Sequence, residues 1–481
     1  MNTIFYDLTS FYKRKIIMRL FITFGLIIIF SQNIFAQNNM SGKDLYMKYC
    51  ATCHGKDMGG GMAKSLTEGV WQFGSNDAEI FKHIEEGLPK RGMPAFQASL
   101  SEEDIENIIV FIRKEESLQR NKEKRDPQKA ENRKYNIIVK TWVNNLDFPW
   151  AVDFIDKKTA LITERPGYLR IVKNDVLQEE PVKGTPPVLD EGQGGLMDVA
   201  VDPDYEKNGW IYLSYSHILE ENDDLTMTRI VRGKISNNTW TDQQVLYQAI
   251  PEHYSDTRHH YGSRIVFDKK GYLYFSIGDR GARHQAQLIT RPNGKIHRIH
   301  KDGKIPDDNP FVNEANAIPS IFSYGNRNSQ GLAVHPVTDQ VWETEHGPMG
   351  GDEVNLILSG KNYGWPEVTY GLNYDGTVIS EYTEKPGMQP PVLQWTPSIA
   401  VCGLDFYTGD LFPKWQNDLI VGALRYEQVR ILEIENNRVI DDQVILSDYG
   451  RIRDVTCGPD GAIYVVVNEP DKILRLTPID Q

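Results

Sequence analysis

Arg264-Ile265-Val266-Phe267 and Tyr272-Leu273-Tyr274-Phe275, two short apolar runs joined by a charged turn, decide the fold of this chain. The same pattern of strand, polar turn and strand recurs through the C-terminal part of the sequence. The other copies pair residues 151–154 with 160–162, 198–201 with 210–213, 331–334 with 340–342, 403–406 with 418–421 and 453–456 with 462–465. This recurrence predicts an all-β, six-bladed β-propeller, in which each copy supplies the inner strands of a four-stranded blade. A β-sandwich with irregular loops is the alternative, and it fits so long a stretch poorly.

The N-terminal part has a different texture and carries a covalent-haem motif, Cys50-Ala51-Thr52-Cys53-His54. In a C-x-x-C-H sequence the two cysteines form thioethers to the haem vinyl groups, and the histidine becomes an axial ligand of the iron. Met93, within Gly92-Met93-Pro94, is the predicted second ligand of haem c, because a His/Met pair suits electron transfer. The alternatives for this position are Met58, Met62 and His83.

Three predicted helices favour a small, all-α class I cytochrome c fold over residues 37–117. The first, residues 44–50, leads directly into the haem motif, and the second covers residues 77–86. The third begins after Ser101, where Ser101-Glu102-Glu103-Asp104 resembles a helix-capping sequence. It continues with isoleucines at helical spacing, at positions 105, 108, 109 and 112.

The remaining segments complete a multidomain chain. Residues 118–134 are almost entirely charged or polar and predict a solvated linker, with a partial helical extension as the alternative. Residues 135–481 form the predicted propeller. Residues 1–36 predict a signal peptide, since basic residues precede an apolar run that is short for a membrane span. Cleavage is expected after Ala36, Met18 is an alternative start, and an uncleaved anchor is the alternative to cleavage.

Composition limits the location and the partners. An exported haem protein is expected to be periplasmic or secreted. The net charge of -13 argues against a nucleic-acid partner and against an anionic membrane surface, and no stable membrane insertion is expected. Cys402 and Cys457 are the cysteines outside the haem motif. An exported chain permits a disulfide between them, but buried free thiols are the favoured interpretation.

Polar clusters stand at the ends of the predicted strands, where a propeller displays its binding face. His260 and Asp279 flank one strand pair, so a tight turn would bring them together as a base and its orienting carboxylate. A buried structural His–Asp pair is the alternative. Acidic residues mixed with glycine and proline between residues 345 and 366 suit an oxygen-ligated cation such as calcium. No G-x-G-x-x-G turn opens a βαβ unit, which argues against a nicotinamide or flavin site.

A cationic cluster completes these features. It consists of Arg425, Arg451 and Arg453. Isolated arginines on strands usually lie on solvated faces. If these three converge, their guanidinium groups would suit a ligand with several carboxylates.

Taken together, these clusters resemble the soluble pyrroloquinoline quinone (PQQ)-dependent glucose and aldose sugar dehydrogenases, with relatives similar to L-sorbosone dehydrogenase. The resemblance covers residues 140–475, and the N-terminal unit separately resembles a class I cytochrome c. The ordered motifs that carry it are Gln193-Gly194-Gly195-Leu196, His260-x-x-x-Arg264, Gly278-Asp279-Arg280-Gly281, Tyr324-Gly325-Asn326-Arg327-Asn328-Ser329-Gln330-Gly331, Gly347-Pro348 and Arg451-Ile452-Arg453-Asp454.

The resemblance implies roles for individual residues. His260 is implied to be the general base that takes the proton of the anomeric hydroxyl while hydride passes to the quinone. Asp279 is implied to hold and polarise His260, and Arg327 to stabilise negative charge on the quinone oxygen. The implied PQQ-binding residues are Gln193, Asn328, Arg425, Arg451 and Arg453. Some relatives have lysine where Arg425 stands.

Calcium and substrate contacts are also implied by the resemblance. Gly347 and Pro348 would offer backbone carbonyls to a calcium ion that contacts PQQ. A second, structural calcium region is implied at Asp352, Glu353 and Tyr363. The segment after Asp279 departs from the glucose-specific members, so the preferred sugar stays open. Candidate substrate contacts there are His284, Gln285 and Gln287.

The chain is therefore predicted to be a periplasmic quinohaemoprotein that oxidises an aldose to its lactone. PQQ would accept hydride, and haem c would pass the electrons to a downstream cytochrome or oxidase. Fusion through a linker raises the effective concentration of the electron acceptor. The alternatives are a calcium-dependent lactonase-type hydrolase, which needs no haem, and a non-catalytic binding propeller fused to an electron carrier.

Overall fold

The computed structural model describes residues 40–56, 58, 63, 66, 77–89, 93–123 and 135–479. The predicted signal peptide, most of the predicted linker and Met62 lie outside the described residues. The chain divides into two compact units between Arg125 and Asp126, a boundary within the stretch predicted to be a linker. Among the helices that the structure describes, none is both long enough and apolar enough to cross a membrane.

The first unit is helical. Its helices are α1 (Gly42–Tyr49), α2 (Ala51–His54), α3 (Asp77–Glu86) and α4 (Glu102–Glu123). The predicted cap of α4 is present, because the Asp104 N–H donates to Ser101 Oγ at 3.2 Å and the Ser101 N–H donates to Asp104 Oδ2 at 3.0 Å. Since α4 runs to Glu123, the helix extends beyond residue 117 into the predicted linker.

Helices α1 and α4 pack against each other at Gly42. A Cβ atom at this position would clash with the Asn107 carbonyl oxygen and would lie 3.2 Å from Phe111 Cβ. One turn further on, the Tyr46 and Phe111 rings pack edge to face with centroids 5.6 Å apart. The two helices approach this closely because Gly42 has no side chain. Their contact forms part of the apolar cluster that also contains Met58, Met93 and Cys50.

We expect Gly42→Ala to destabilise the N-terminal unit by about 1–3 kcal/mol, because overpacking a tight helix crossing forces the backbones apart. Chemical denaturation followed by the haem absorbance would measure this effect. Lys43→Ala, at an exposed site on the same helix, is the control and should change stability little. Equal stability of the two variants would contradict the crossing at Gly42.

The second unit is a β-propeller of six four-stranded antiparallel sheets. The strands are β1 (Ile137–Val143), β2 (Pro149–Asp156), β3 (Thr159–Glu164), β4 (Tyr168–Lys173), β5 (Val176–Leu177), β6 (Leu196–Val201), β7 (Ile211–Leu219), β8 (Asn222–Ser236), β9 (Thr239–Tyr247), β10 (Ile265–Phe267), β11 (Tyr272–Ile277) and β12 (Lys295–His300). They continue with β13 (Ile321–Tyr324), β14 (Ser329–Val334), β15 (Val341–Glu345), β16 (Asp352–Ile357), β17 (Leu393–Trp395), β18 (Val401–Phe406), β19 (Leu419–Ala423), β20 (Gln428–Glu435), β21 (Arg438–Leu446), β22 (Arg451–Cys457), β23 (Ile463–Asn468) and β24 (Lys472–Pro478). A short helix α5 (Tyr205–Asn208) and the 3₁₀ turns Pro251–His253, Arg283–Gln287 and Pro413–Trp415 lie in connections.

The blades follow the chain, and the ring is closed by pairing its two ends. Five blades are β2–β5, β6–β9, β10–β13, β14–β17 and β18–β21; in the sixth, β1 pairs with β24 beside β23 and β22. The first strands of the blades, β2, β6, β10, β14, β18 and β22, contact one another in turn around the centre. Each predicted strand pair coincides with the first two strands of one blade, which confirms the six-bladed propeller.

Aspartates join neighbouring blades near the centre. Asp153 Oδ2 accepts the Val201 N–H at 2.7 Å, and Asp198 Oδ2 accepts the Ile265 N–H at 2.7 Å. Arg264 Nη1 lies 3.2 Å from Asp198 and 2.8 Å from Asp454, so one guanidinium links three blades. These bonds fix the inner strands in register, and thereby position the segments that enter and leave them.

Candidate active site

The site lies at the end of the propeller where first strands begin and second strands end. His260 precedes β10 and Asp279 follows β11, and these strands are antiparallel partners, with Ile265 opposite Phe275. The hairpin returns Asp279 to His260, and His260 Nδ1 lies 2.7 Å from Asp279 Oδ1. The structure therefore brings together the two residues that the sequence analysis paired.

The backbone around His260 is tightly held in a left-handed conformation. His260 has φ +55°, and its N–H donates to Gln193 Oε1 at 2.8 Å. Gly278 is required opposite it, because a Cβ there would clash with the His260 carbonyl oxygen. Gln193, predicted to bind the cofactor, thus uses its side-chain oxygen to hold the segment that carries the base.

The protonation states of His260 and Asp279 suit His260 as a general base. Burial lowers the pKa of His260, and the charge of Arg327 lowers this pKa further, although the hydrogen bond to Asp279 acts in the opposite direction. Burial opposes ionisation of Asp279, but the hydrogen bond from His260 and the nearby Arg327 charge hold the Asp279 pKa below its usual value. A neutral imidazole can then donate Nδ1–H to the ionised carboxylate. Its Nε2 has no hydrogen-bond partner among the described residues.

Arg327 and Asn328 lie beside this pair. The Asp279 N–H donates to the Arg327 carbonyl at 2.7 Å, and Arg327 Nη1 donates to the His346 carbonyl at 2.9 Å. Asn328 Oδ1 accepts the Gly262 N–H at 3.2 Å. Within the part of the chain that the structure describes, no carboxylate forms an ion pair with the Arg327 guanidinium, whose Nη1 contacts the His346 carbonyl. Its charge is available to an anionic group.

Two of the three predicted arginines, Arg451 and Arg453, lie two positions apart on β22. Burial lowers the pKa of His346 well below its usual value, and the charges of Arg327, Arg453 and Arg451 act in the same direction. Arg453 is bound by neutral atoms, with Nη1 3.3 Å from Gln330 Oε1 and 3.6 Å from Cys402 Sγ. His346 Nε2 is buried without a partner in the described structure. This concentration of unbalanced positive charge fits a ligand with several carboxylates.

Arg425 is placed differently from the other arginines. It lies exposed in the turn after β19, and its guanidinium is 5.9 Å from the Tyr426 ring centroid. No side-chain contact joins it to Arg451 or Arg453 in the described structure. Its part in cofactor binding stays a prediction.

The predicted calcium region is rich in carboxyl groups, and these differ in their hydrogen-bond partners. Asp352 accepts the Gly347 N–H and the Val401 N–H, both at 2.9 Å, so its carboxylate holds the backbone. Glu345 instead has a buried Oε2 atom without a partner in the described structure, and burial raises the Glu345 pKa to about 7. Glu353 lies opposite Glu345 in the β15–β16 pair, and burial also raises its pKa.

A small cavity separates these groups. It has a volume of about 10 Å³, and its lining includes Glu345, Gly347, Pro348, Glu353 and Tyr363. A space of this size accommodates a single water or ion. No group of three or more His, Cys, Asp or Glu side chains that could hold a metal occurs among the described residues. A hard cation would therefore need backbone carbonyls together with Glu345 and Glu353, which are oxygen donors of the kind that calcium prefers.

The haem motif lies in the helical unit. Cys50 lies at the junction of α1 and α2, Cys53 lies within α2, and His54 ends α2; both cysteines are half-buried. Met93 pairs with Leu88 and packs on the same apolar cluster as Met58, which is fully buried. Cys50, Met58 and Met93 on one apolar cluster, with Cys53 and His54 in the adjoining helix α2, fit a haem c. Met93 stays the predicted second ligand, with Met58 and His83 as alternatives.

Cys402 and Cys457 are free, as the sequence analysis favoured. Cys402 Sγ donates to the Arg453 carbonyl at 3.0 Å. This buried thiol therefore belongs to the lining of the cationic cluster.

Two residues of the site had no predicted role. Arg280 is fully buried and holds the His260 segment, since its Nη1 donates to the His259 carbonyl at 2.6 Å. Trp365 Nε1 donates to Asp279 Oδ2 at 2.8 Å. Arg280 adjoins Asp279 in the quoted motif, which was the available signal. Trp365 comes from a connection in another blade, and no local pattern links it to Asp279.

The segment after Asp279 supplies the rim of the site. Arg283 and His284 are exposed there, so the His284 side chain is accessible to a substrate. Gln287 instead donates from Nε2 to the Trp365 carbonyl at 2.7 Å and exchanges hydrogen bonds with Asn362. Of the predicted substrate contacts, Gln287 is thus engaged within the protein.

Comparisons with known proteins agree with this arrangement. Residues 146–475 match the family model described as glucose/sorbosone dehydrogenase, and residues 37–112 match that described as cytochrome c oxidase, cbb3-type, subunit III. The aldose sugar dehydrogenase of Escherichia coli is 41% identical over 349 residues, which span 71% of this chain and 93% of that protein.

Solved structures give the same result. The soluble aldose sugar dehydrogenase from Escherichia coli, in its apo form, matches with a TM-score of 0.68 and 38% identity, covering 72% of this chain and 100% of that one. The PQQ-bound aldose sugar dehydrogenase from Streptomyces coelicolor matches with a TM-score of 0.60 and 26% identity, covering 72% and 98%. On its sequence, its six-bladed fold and its site, the chain belongs to the glucose/sorbosone dehydrogenase family of oxidoreductases and carries an N-terminal cytochrome c domain.

Proposed function

We propose that this protein is an exported quinohaemoprotein that oxidises an aldose at its anomeric carbon. The reaction removes a proton from the anomeric hydroxyl and a hydride from the same carbon, leaving the lactone. When bound, PQQ supplies a two-electron hydride acceptor, calcium supplies positive charge beside it, and haem c supplies a one-electron acceptor. A downstream cytochrome or oxidase is the proposed final partner.

The observation that carries the proposal is the 2.7 Å contact between His260 Nδ1 and Asp279 Oδ1, beside arginines without carboxylate partners. His260 Nε2 would take the proton of the anomeric hydroxyl, because the neutral imidazole keeps its lone pair there. Asp279 would fix the tautomer and stabilise the imidazolium that forms. The family match favours an oxidoreductase over the lactonase-type or non-catalytic alternatives.

The remaining residues would bind and position the cofactors. Arg327, Arg451 and Arg453, with Asn328, suit the three carboxylates and quinone oxygens of PQQ, because guanidinium groups bind carboxylates bidentately. Gly347 and Pro348, with Glu345 and Glu353 nearby, offer oxygen atoms for calcium. Cys50, Cys53 and His54 would hold the haem. Asp352, Glu353 and Tyr363 form the proposed region of a second, structural calcium.

A reconstitution experiment tests this function. Purified full-length protein is incubated with PQQ and calcium, and reduction of a soluble dye is followed with a panel of aldoses. We expect dye reduction that requires both PQQ and a sugar, and a lactone as the product. If no aldose reduces the dye after PQQ binding has been demonstrated, the proposed function is wrong.

The pH dependence follows from the state of His260. Because its pKa is lowered, the base stays neutral on acidification below about pH 6.5, the ordinary value for histidine. We expect kcat/KM to stay constant from neutral pH to below that value, and then to fall about tenfold for each further pH unit as His260 is protonated. A pH profile of dye-linked kcat/KM measures this. Loss of activity already above pH 7 would contradict the assignment.

A further inference from the structure

Trp365 is a buried residue that contacts Asp279, and the proposed mechanism does not use it. Its side chain is only 6% exposed, and its indole N–H donates to Asp279 Oδ2 at 2.8 Å. The other oxygen, Asp279 Oδ1, already accepts hydrogen bonds from His260 Nδ1 at 2.7 Å and from the Gly281 N–H at 2.8 Å. Both oxygens of this carboxylate are therefore occupied, and the described donor to Oδ2 is Trp365.

The same indole ring adjoins the cationic part of the site. The Arg327 guanidinium lies 5.3 Å from the Trp365 ring centroid, and that of Arg283 lies 5.9 Å from it. A guanidinium within about 6 Å of an indole ring is attracted to its face. Trp365 thus contacts the carboxylate of the dyad through its edge and two cations through its ring.

The backbone of Trp365 is also fixed. Its N–H donates to the Gly325 carbonyl at 2.8 Å, and its own carbonyl accepts Gln287 Nε2 at 2.7 Å. These partners belong to the segment before β14 and to the 3₁₀ turn Arg283–Gln287. Because the main chain is held on both sides, the indole has a fixed direction from which to donate to Asp279.

We propose that Trp365 is a positioning residue that orients Asp279, and through it His260, while setting the place of Arg327. The inference rests on the proposed function for its effect on catalysis. Its structural part concerns only the placement of Asp279, His260 and Arg327 by Trp365. This part can be tested in the protein without substrate.

The direction in which the His260 pKa shifts separates this role from simple structural support. A hydrogen bond donated to a carboxylate stabilises its charged form. Removing the indole N–H leaves a more basic Asp279, which holds the His260 imidazolium more strongly and so raises the His260 pKa. Asp279→Asn removes the charge instead and lowers that pKa. The two variants should therefore move the same titration in opposite directions.

Other ionisable groups bear on this titration. The described groups whose charges act on His260 include Asp279, Arg327, His259 and the buried His346. Trp365→Phe keeps all of them, so a shift in its profile reports the lost hydrogen bond and any movement of Arg327. Movement of Arg327 away from His260 would raise the His260 pKa as well, which is the same direction.

The test compares Trp365→Phe with a matched control, Trp395→Phe. Trp395 Nε1 also donates to an aspartate, Asp442 Oδ2 at 3.0 Å, but at a site away from the dyad. We expect Trp365→Phe to lower kcat about tenfold or more, to leave KM for the sugar within about twofold, and to move the acid limb of kcat/KM to higher pH. Trp395→Phe should change none of these.

A second measurement does not depend on activity. Protein labelled with ¹⁵N-histidine is titrated by NMR without substrate, and the His260 signal is assigned by its loss in His260→Gln. The His260 pKa should rise in Trp365→Phe, fall in Asp279→Asn and stay unchanged in Trp395→Phe. If kcat falls without any shift of the titration, Trp365 is merely structural and the proposal is wrong. If the wild type oxidises no aldose but the titrations move as stated, the proposed function fails while the positioning role stands.

Discussion

His260→Gln is expected to lower kcat for aldose oxidation by about 10²–10⁴-fold, the usual contribution of a positioned general base. The glutamine side chain has a polar amide with a reach similar to that of the imidazole, but it cannot accept a proton near neutral pH. This change keeps the hydrogen bond from the N–H of residue 260 to Gln193. It also leaves the arginines of the site in place. PQQ affinity, measured by titration of the apoprotein, should therefore stay within a few-fold of the wild type.

His259→Gln is the matched control for that variant. His259 is the exposed neighbour in the same segment, with its ring edge to face against His260 at 4.6 Å. Since it lacks the Asp279 partner, we expect its loss to change kcat by less than about tenfold. If both histidine variants lost activity equally, proton abstraction could not be assigned to His260.

Removal of the haem thiols is expected to produce the second large effect. In the double variant Cys50→Ser, Cys53→Ser no covalent attachment can form, because the thioethers need both sulfur atoms. Electron transfer from the sugar to haem c should be abolished. Dye-linked sugar oxidation should persist, since the chain forms two separate compact units and the dye replaces the haem as acceptor.

Cys457→Ser provides the control for the haem variant. Cys457 is a free, half-buried thiol of the propeller, outside the haem motif and the cationic cluster. Haem spectra and haem reduction should be unchanged by its replacement. Loss of dye-linked activity in the double cysteine variant, with an intact propeller by circular dichroism, would contradict independent chemistry in the propeller.

Much of this architecture follows from local patterns in the sequence. The strand pairs repeat with a turn of fixed character, and each repeat forms the start of a blade, so periodicity alone predicts the ring. The C-x-x-C-H motif is also local, because its five residues are consecutive in the sequence. The contact of His260 with Asp279 was predictable because a single hairpin, β10–β11, connects them.

Contacts made by long connections could not be predicted in this way. Trp365 reaches Asp279 from the segment between β16 and β17, whose path has no periodicity. The role of Asp352 depends on which backbone N–H groups its carboxylate meets, and these include Val401 of the next blade. Arg425 was grouped with Arg451 and Arg453 by residue type, yet its turn leaves it exposed.

The central claim is that electrons removed from a sugar in the propeller reach the haem of the same chain. Stopped-flow absorbance of the full-length protein, carrying haem c and loaded with PQQ and calcium, tests it most directly. After anaerobic mixing with an aldose that the dye assay has identified, we expect the reduced haem spectrum to appear with a first-order rate that does not depend on protein concentration. A haem that stays oxidised while the same sample reduces the dye would contradict the claim.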